Sequence, residues 1–329
     1  MSVKIIFFLV LFVSLFFVSF DFIVSKLKIY SKTIYTNKEI NKKIPLIGGF
    51  FILLGFNLII LTKGGSIVES YNSEILVILL LSNLFFIIGY IDDRINLSPY
   101  WKVLIFILLG YLIFNNFDYL MIKEIKFSFI DKIIFLGQYS IIFTLFAIFV
   151  FLNALNMFDG INGHTGSYVF FVLCSLFYVS KEIIFIYFLF LIVLFFYFNL
   201  KNKFFIGNSG IFFIGTFFSL VFILFYNSNI FLFSDDIFLI MFLPGVDLIR
   251  LFFTRILNQK NPLKRDHNHW HHILSKKFGI NITLVISCIM FSLPFIFSNF
   301  FKLSNHYIII TFLFIYLLIF YFCKKKTNF

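Results

Sequence analysis

Histidine is concentrated in one short stretch of this chain. Four of its 6 histidines, His267, His269, His271 and His272, fall within DHNHWHH, directly after Lys264 and Arg265. Imidazole and guanidinium donors on one segment suit a pyrophosphate, whose oxygens accept several converging charge-assisted hydrogen bonds. A zinc shell fits less well, because neighbouring residues rarely close a tetrahedron and no cysteine lies nearby. In helical geometry His267 and His271, or His269 and His272, would share a face. Asp266 belongs to the same cluster, and a solvated polar loop is the plain alternative.

Three more polar stretches interrupt a chain that is otherwise 61% hydrophobic. In GYIDDRINL, Asp92 and Asp93 close an apolar run. Adjacent carboxylates repel, and a hard divalent cation relieves that repulsion while leaving positions for phosphate oxygens. A helix-ending acidic turn beside Arg94 would also explain them. In NALNMFDGINGHTG, Asn153, Asn156 and Asp159 recur every three residues, which spreads them over roughly 120° of a helix. Gly160 and Gly163 then break the helix where the carboxylate emerges. Amides both donate and accept, so they suit a base, a ribose or a phosphate, or else cap the helix. In FFIGNSGIFFIG, Gly207 and Gly210 permit close backbone approach, and the following helix start offers N–H groups to an anion; turn geometry alone is the alternative.

Membrane helices must position these groups. Eleven apolar runs of about 20 residues, the length that crosses a bilayer, follow one another. They fall near 4–24, 46–62, 74–91, 100–117, 133–152, 164–180, 183–200, 210–227, 236–253, 280–300 and 304–323. In lipid each span must satisfy its own backbone, so the expected fold is all-α, a polytopic transmembrane bundle forming one domain over 1–329. The first run is too long, and lacks a small-x-small site, for a removable signal peptide. Cys174, Cys288 and Cys323 lie in or at the ends of apolar runs, so no disulfide framework is expected. Most of the 27 lysines and arginines fall on one side if the N-terminus lies outside and the C-terminus inside. All four polar stretches then share the cytoplasmic side. The net charge of +12 therefore reflects topology, and a basic inner face suits nucleotide diphosphates and anionic lipids, not nucleic acid.

With these motifs in order, from IPLIGG at 44–49 to the histidine segment, the chain resembles the polyprenyl-phosphate N-acetylhexosamine-1-phosphate transferases. HWHH looks more like the undecaprenyl-phosphate GlcNAc-1-phosphate branch than the phospho-N-acetylmuramoyl-pentapeptide branch. Two positions depart from the family pattern. Asn162 stands where a second aspartate is usual, and Asn208 stands at the acidic place of the third motif, which usually supplies a Mg²⁺ carboxylate.

The resemblance implies transfer of a sugar 1-phosphate from a UDP-N-acetylamino sugar to undecaprenyl phosphate, with release of UMP. This would take place at the cytoplasmic face of a bacterial inner membrane, at the start of a lipid-linked surface glycan such as lipopolysaccharide. It implies Mg²⁺, with Mn²⁺ as the alternative, held by some combination of Asp92, Asp93 and Asp159, with Asn208 adding a neutral oxygen. Asp92 is the candidate to orient or deprotonate the lipid phosphate. Asn153, Asn156 and Asn162 are candidates for nucleotide contacts, and Phe205 for stacking on uracil. Arg265, Asp266, His269, His271 and His272 would hold the diphosphate. Oligomeric state is left open, a homodimer included. Two rivals stay in view. A Mg²⁺-dependent intramembrane prenyltransferase would need a second aspartate pattern, which does not follow DDR. A lipid or sugar transporter would place charge near mid-membrane, where Asp247 and Arg250 are the exceptions, most simply an intrahelical ion pair.

Overall fold

The computed structural model describes residues 3–27, 30, 44–63, 72–259 and 268–325. Its helices are α1 (Val3–Val18), α2 (Phe20–Leu27), α3 (Gly48–Lys63), α4 (Asn72–Ile95), α5 (Pro99–Phe114) and α6 (Ser140–Phe158). They continue as α7 (His164–Ser180), α8 (Ile184–Leu200), α9 (Gly207–Asn227), α10 (Ser234–Ile240), α11 (Phe242–Leu257), α12 (Trp270–Asn299) and α13 (Asn305–Lys325). Ten of the eleven apolar runs lie on a helix or a helix pair, and the run at 133–152 is α-helical only from Ser140. Among the described residues five helices are long and apolar enough to cross a membrane, or six if α10 and α11, bent by 87°, form one broken span. Four further apolar helices are shorter, at 10–17 residues. The molecule is a polytopic helical membrane protein. Along α13 the large apolar residues Tyr307, Ile310, Phe314, Leu317 and Tyr321 stand exposed at helical spacing, as a lipid-facing stripe does.

Two elements differ from the sequence expectation. The fold is not wholly α: strands β1 (Glu124–Phe127) and β2 (Ile130–Phe135) pair as an antiparallel hairpin. The run at 133–152 is therefore strand at its start, and its helix begins only at Ser140. Helix also extends into the stretch between the apolar runs 236–253 and 280–300. α11 continues to Leu257, and α12 begins at Trp270, so the last histidines open a helix. That helix kinks at Gly279, whose φ of 79° lies in the left-handed region that glycine enters without a Cβ clash.

The chain divides into two compact units, residues 1–97 with 172–218 and residues 98–171 with 219–329, the boundaries falling between α4 and α5 and inside α7 and α9. In the first, Phe56 of α3 stacks on Phe188 of α8 at 3.8 Å between centroids, and Phe217 of α9 meets both edge-on. Such aromatic pairs add about 0.5–1.5 kcal/mol each beyond the area they bury. In the second unit the hairpin is latched by polar bonds. Asp235 of α10 accepts the Ser128 N–H at 2.8 Å and the Asn305 amide at 2.6 Å, and the Tyr226 hydroxyl accepts the Lys126 N–H at 2.8 Å. Leaving one such buried donor unpaired costs about 1–3 kcal/mol, so these bonds fix where the hairpin sits.

Candidate active site

The first unit carries a carboxylate cluster. Residues 45–49 and 205–206 pair through their backbones: Phe205 N–H donates to Pro45, Gly48 N–H to Phe205 and Gly49 N–H to Ile206, at 2.8–3.0 Å. IPLIGG thus anchors the segment that enters α9. At that entry both Asp93 oxygens accept backbone N–H groups, from Asn208 and Ser209, each at 2.9 Å. A carboxylate at a helix N-terminus satisfies orphan donors and meets the positive end of the dipole. Gly207 has φ +71°, and a Cβ there would lie 2.8 Å from the Asp93 carboxylate, so glycine is required twice over. Asp92, 2% exposed, accepts the Asn208 side-chain amide on Oδ2 at 2.7 Å. The half-buried Phe205 is three residues upstream. The structure brings Asp92, Asp93 and Asn208 into one hydrogen-bonded group, with Asp93 acting as a cap.

The second unit carries an imidazole layer. α6 ends at Phe158, and Asp159, exposed beyond it, accepts the Thr165 hydroxyl at 2.7 Å. Asn153 and Asn156 lie on the last two turns of α6, and the Asn153 amide donates to the Phe149 carbonyl of its own helix. Asn162 lies in the turn leading to α7. His164 opens α7, stacks on Phe158 at 3.8 Å and bonds through Nδ1 to the Phe158 carbonyl at 2.8 Å. That carbonyl can only accept, so His164 carries its proton on Nδ1.

His271, fully buried, faces His164 at 5.1 Å and His272 at 4.3 Å, with His269 stacked at 5.5 Å. Neither ring nitrogen of His271 has a hydrogen-bond partner among the described residues. A buried imidazole with both nitrogens unpaired pays a desolvation cost that a ligand would relieve. Its ring presses on Gly160, where a Cβ would lie 1.8 Å from Nε2. That contact explains the glycine after Asp159. Arg265 and Asp266, with Lys264 and His267, lie outside the described residues.

Five residues of this layer escaped the sequence reading as site components: His164, Thr165, Asp247, Arg250 and Tyr316. Asp247 on α11 is 4% exposed and accepts bonds from Arg250 and from the Tyr316 hydroxyl of α13. The signal for it was a charge pair inside an apolar run, which is a functional pointer by default. His164 and Thr165 stood inside a quoted motif without a role. Tyr316 gave no signal at all.

A hard cation needs oxygen ligands. Among the described residues no group of three or more His, Cys, Asp or Glu is arranged to hold one. The donors of the carboxylate cluster nevertheless suit it. Asn208 now offers Asp92 an N–H, which cannot face a cation, but turning the amide over places its oxygen there. Asp92 would then contribute a charged oxygen and Asn208 a neutral one, side by side. Asp92 and Asn208 are the pair that fits.

Residues 75–226 match the family model described as glycosyl transferase family 4. A protein of Thermotoga maritima named undecaprenyl-phosphate alpha-N-acetylglucosaminyl 1-phosphate transferase is 31% identical over 144 residues, 44% of this chain and 45% of the relative. The Escherichia coli K12 protein of the same name is 32% identical over 123 residues, 37% of this chain and 32% of its own length. The matches thus span less than half the length of either relative. The matched segment holds IDDR, NALNMFDGING and GNSG, three of the stretches on which the resemblance rested, and over that segment the chain is similar to glycosyl transferase family 4.

Proposed function

We propose that the protein transfers an N-acetylamino-sugar 1-phosphate from a UDP-sugar to undecaprenyl phosphate and releases UMP. The observation that carries this reading is the buried, unpartnered imidazole of His271 pressed onto the Asp159–Gly160 turn. The names of the two relatives support the polyprenyl-phosphate acceptor and the sugar 1-phosphate. In the transfer, an oxygen of the lipid phosphate attacks the sugar-bearing phosphorus. The bond from that phosphorus to the UMP oxygen breaks, and the electron pair leaves on UMP. A phosphate monoester with its second pKa near 6 is already largely ionised, so a general base has little to add. Positioning and charge neutralisation dominate instead.

On this reading His269, His271 and His272 hold the diphosphate, with Arg265 and Asp266. Asn153, Asn156 and Asn162 contact the nucleotide, and Phe205 stacks on the base. Asp92 orients the lipid phosphate, while Asp93 keeps the start of α9 in place. Mg²⁺, bound through Asp92 and Asn208 with Asp159 contributing, would neutralise charge that develops on the diphosphate. The N-terminus lies outside, the polar segments face the cytoplasm of a bacterial inner membrane, and the product opens a lipid-linked surface glycan.

Membranes holding the protein, given undecaprenyl phosphate and a panel of UDP-sugars, should release UMP with at least one UDP-N-acetylamino sugar. Inserted protein that releases none with any donor overturns the proposal. Asn208→Asp restores charge at the amide position. It should raise turnover or lower the Mg²⁺ concentration for half-maximal rate, by about tenfold for one added hydrogen-bonding charge. An unchanged Mg²⁺ dependence and rate would show that Asn208 is not a ligand.

A further inference from the structure

Asp247 has chemistry the transfer reading leaves unused. It sits on α11, buried, and its two oxygens are not equivalent. Oδ1 accepts Arg250 NH2 at 2.6 Å and the Tyr316 hydroxyl at 2.7 Å, with longer contacts at 3.3 Å from Arg250 Nε and the Trp270 N–H. Among the described residues Oδ2 shares only that long Trp270 bond, at 3.3 Å, and faces His269 Nδ1 at 3.6 Å. Oδ1 is saturated, and Oδ2 keeps its lone pairs aimed at an imidazole.

The supports of the carboxylate are themselves fixed. The Tyr316 hydroxyl also accepts Arg250 Nε at 2.7 Å, and Arg250 NH2 donates to the Asn268 carbonyl at 2.7 Å, one residue before His269. The guanidinium lies 3.9 Å over the Phe320 ring. Trp270, fully buried, stacks on Tyr316 at 4.8 Å and donates Nε1–H to Ser287 at 3.1 Å. α11, α13 and the first turn of α12 therefore converge on one acid.

We infer that Asp247 is a positioning residue: its Oδ2 accepts the Nδ1–H of His269, fixes the ring and its tautomer, and leaves Nε2 as the nitrogen that meets substrate. A carboxylate behind one imidazole nitrogen selects the tautomer and orientation of the other, the same logic that serves catalytic and metal-bound histidines. The present 3.6 Å is an ion-pair distance, and closing it by about 0.6 Å makes a normal bond, the kind of tightening that ligand binding brings. Arg250 and Tyr316 keep the carboxylate from turning. His271 and His272, at 5.5 Å and 5.9 Å from the His269 ring, are the other ionisable groups beside it. What His269 then binds, the donor diphosphate, rests on the proposed transferase reading; the dyad itself does not.

The test uses full-length protein labelled with ¹⁵N-histidine in nanodiscs, with the His269 ring assigned by its loss in His269→Gln. The wild type should show His269 protonated at Nδ1, and Asp247→Asn should lose that signature. In the same preparations Asp247→Asn should raise the KM for the UDP-sugar about tenfold, the worth of one charged hydrogen bond, with the KM for lipid phosphate unchanged. Should Asp247→Asn fail to insert, Tyr316→Phe carries the test, since removing one Oδ1 donor lets the carboxylate turn and should mix the His269 tautomers. Nδ1 unprotonated in the wild type, or a His269 signature indifferent to both variants, overturns the dyad whatever the turnover. A dyad that forms in protein releasing no UMP leaves this inference standing and overturns the function.

Discussion

Gly160→Ala should leave the protein in the membrane and cut UMP release by about 100-fold, the scale of loss from displacing a reacting group by about 1 Å. The reason is steric. The added Cβ would lie 1.8 Å from His271 Nε2, 2.6 Å from Cδ2 and 2.8 Å from Cε1, so the whole ring edge must leave. It has little room to do so, because His164 and His272 flank it at 5.1 Å and 4.3 Å. The imidazole is displaced while α6 and α12 keep their hydrogen bonds. A second comparison isolates the cause. If Gly160→Ala acts through His271, then Gly160→Ala with His271→Ala should be no worse than His271→Ala alone, because changes acting on one contact are not additive. UMP release per unit of inserted protein decides it. Retention of most of the rate in Gly160→Ala, or in His271→Ala, would count against the role given to that ring.

Asp159→Ala should abolish UMP release, a loss much larger than its cost to stability. Asp159 is exposed and accepts the Thr165 hydroxyl at 2.7 Å. Thr165 is 3% exposed, so Asp159→Ala leaves a buried hydroxyl without that acceptor, at a cost to folding of about 1–3 kcal/mol. The loss to chemistry is larger, because a carboxylate beside a diphosphate has value only through a cation or a transferred proton. Asp159→Asn separates the two, since the amide oxygen keeps the Thr165 bond and removes the charge. It should fall by about 100-fold or more in turnover at an unchanged melting temperature. Parallel falls in both quantities would instead mean that Asp159 only shapes the turn.

The helices were legible because apolar runs of bilayer length admit little else. The hairpin was not. IDKIIF at 130–135 is a short apolar run, and periodicity cannot tell a strand from a helix segment at that length. Its fate is set by β1 and by Asp235, about a hundred residues downstream. The start of α12 at Trp270 was hidden likewise, since the residue that receives its first N–H is Asp247 on another helix. The polar motifs announced which residue types matter, and Asp92, Asn208, Asp159 and His271 all fall in hydrogen-bonded or tightly packed clusters. Their division of labour was beyond a local pattern. Asp92 and Asp93 both read as metal ligands, with Asp92 alone given the lipid phosphate, whereas Asp93 has both oxygens on backbone N–H groups and Asp92 faces Asn208. Asp247 and Arg250 read as an intrahelical pair, which they are, but Tyr316, His269 and Trp270 turn that pair into a support for the histidine segment.

The fate of one phosphorus atom tests the central claim most directly. With a UDP-N-acetylamino sugar labelled at the β-phosphate, membranes carrying the protein and undecaprenyl phosphate should move the label into the organic-extractable lipid as unlabelled UMP appears in equal amount. A prenyltransferase would release pyrophosphate instead, and a transporter would return the nucleotide sugar intact. Label that stays in the aqueous phase with every donor, while the protein is inserted and folded, contradicts the account.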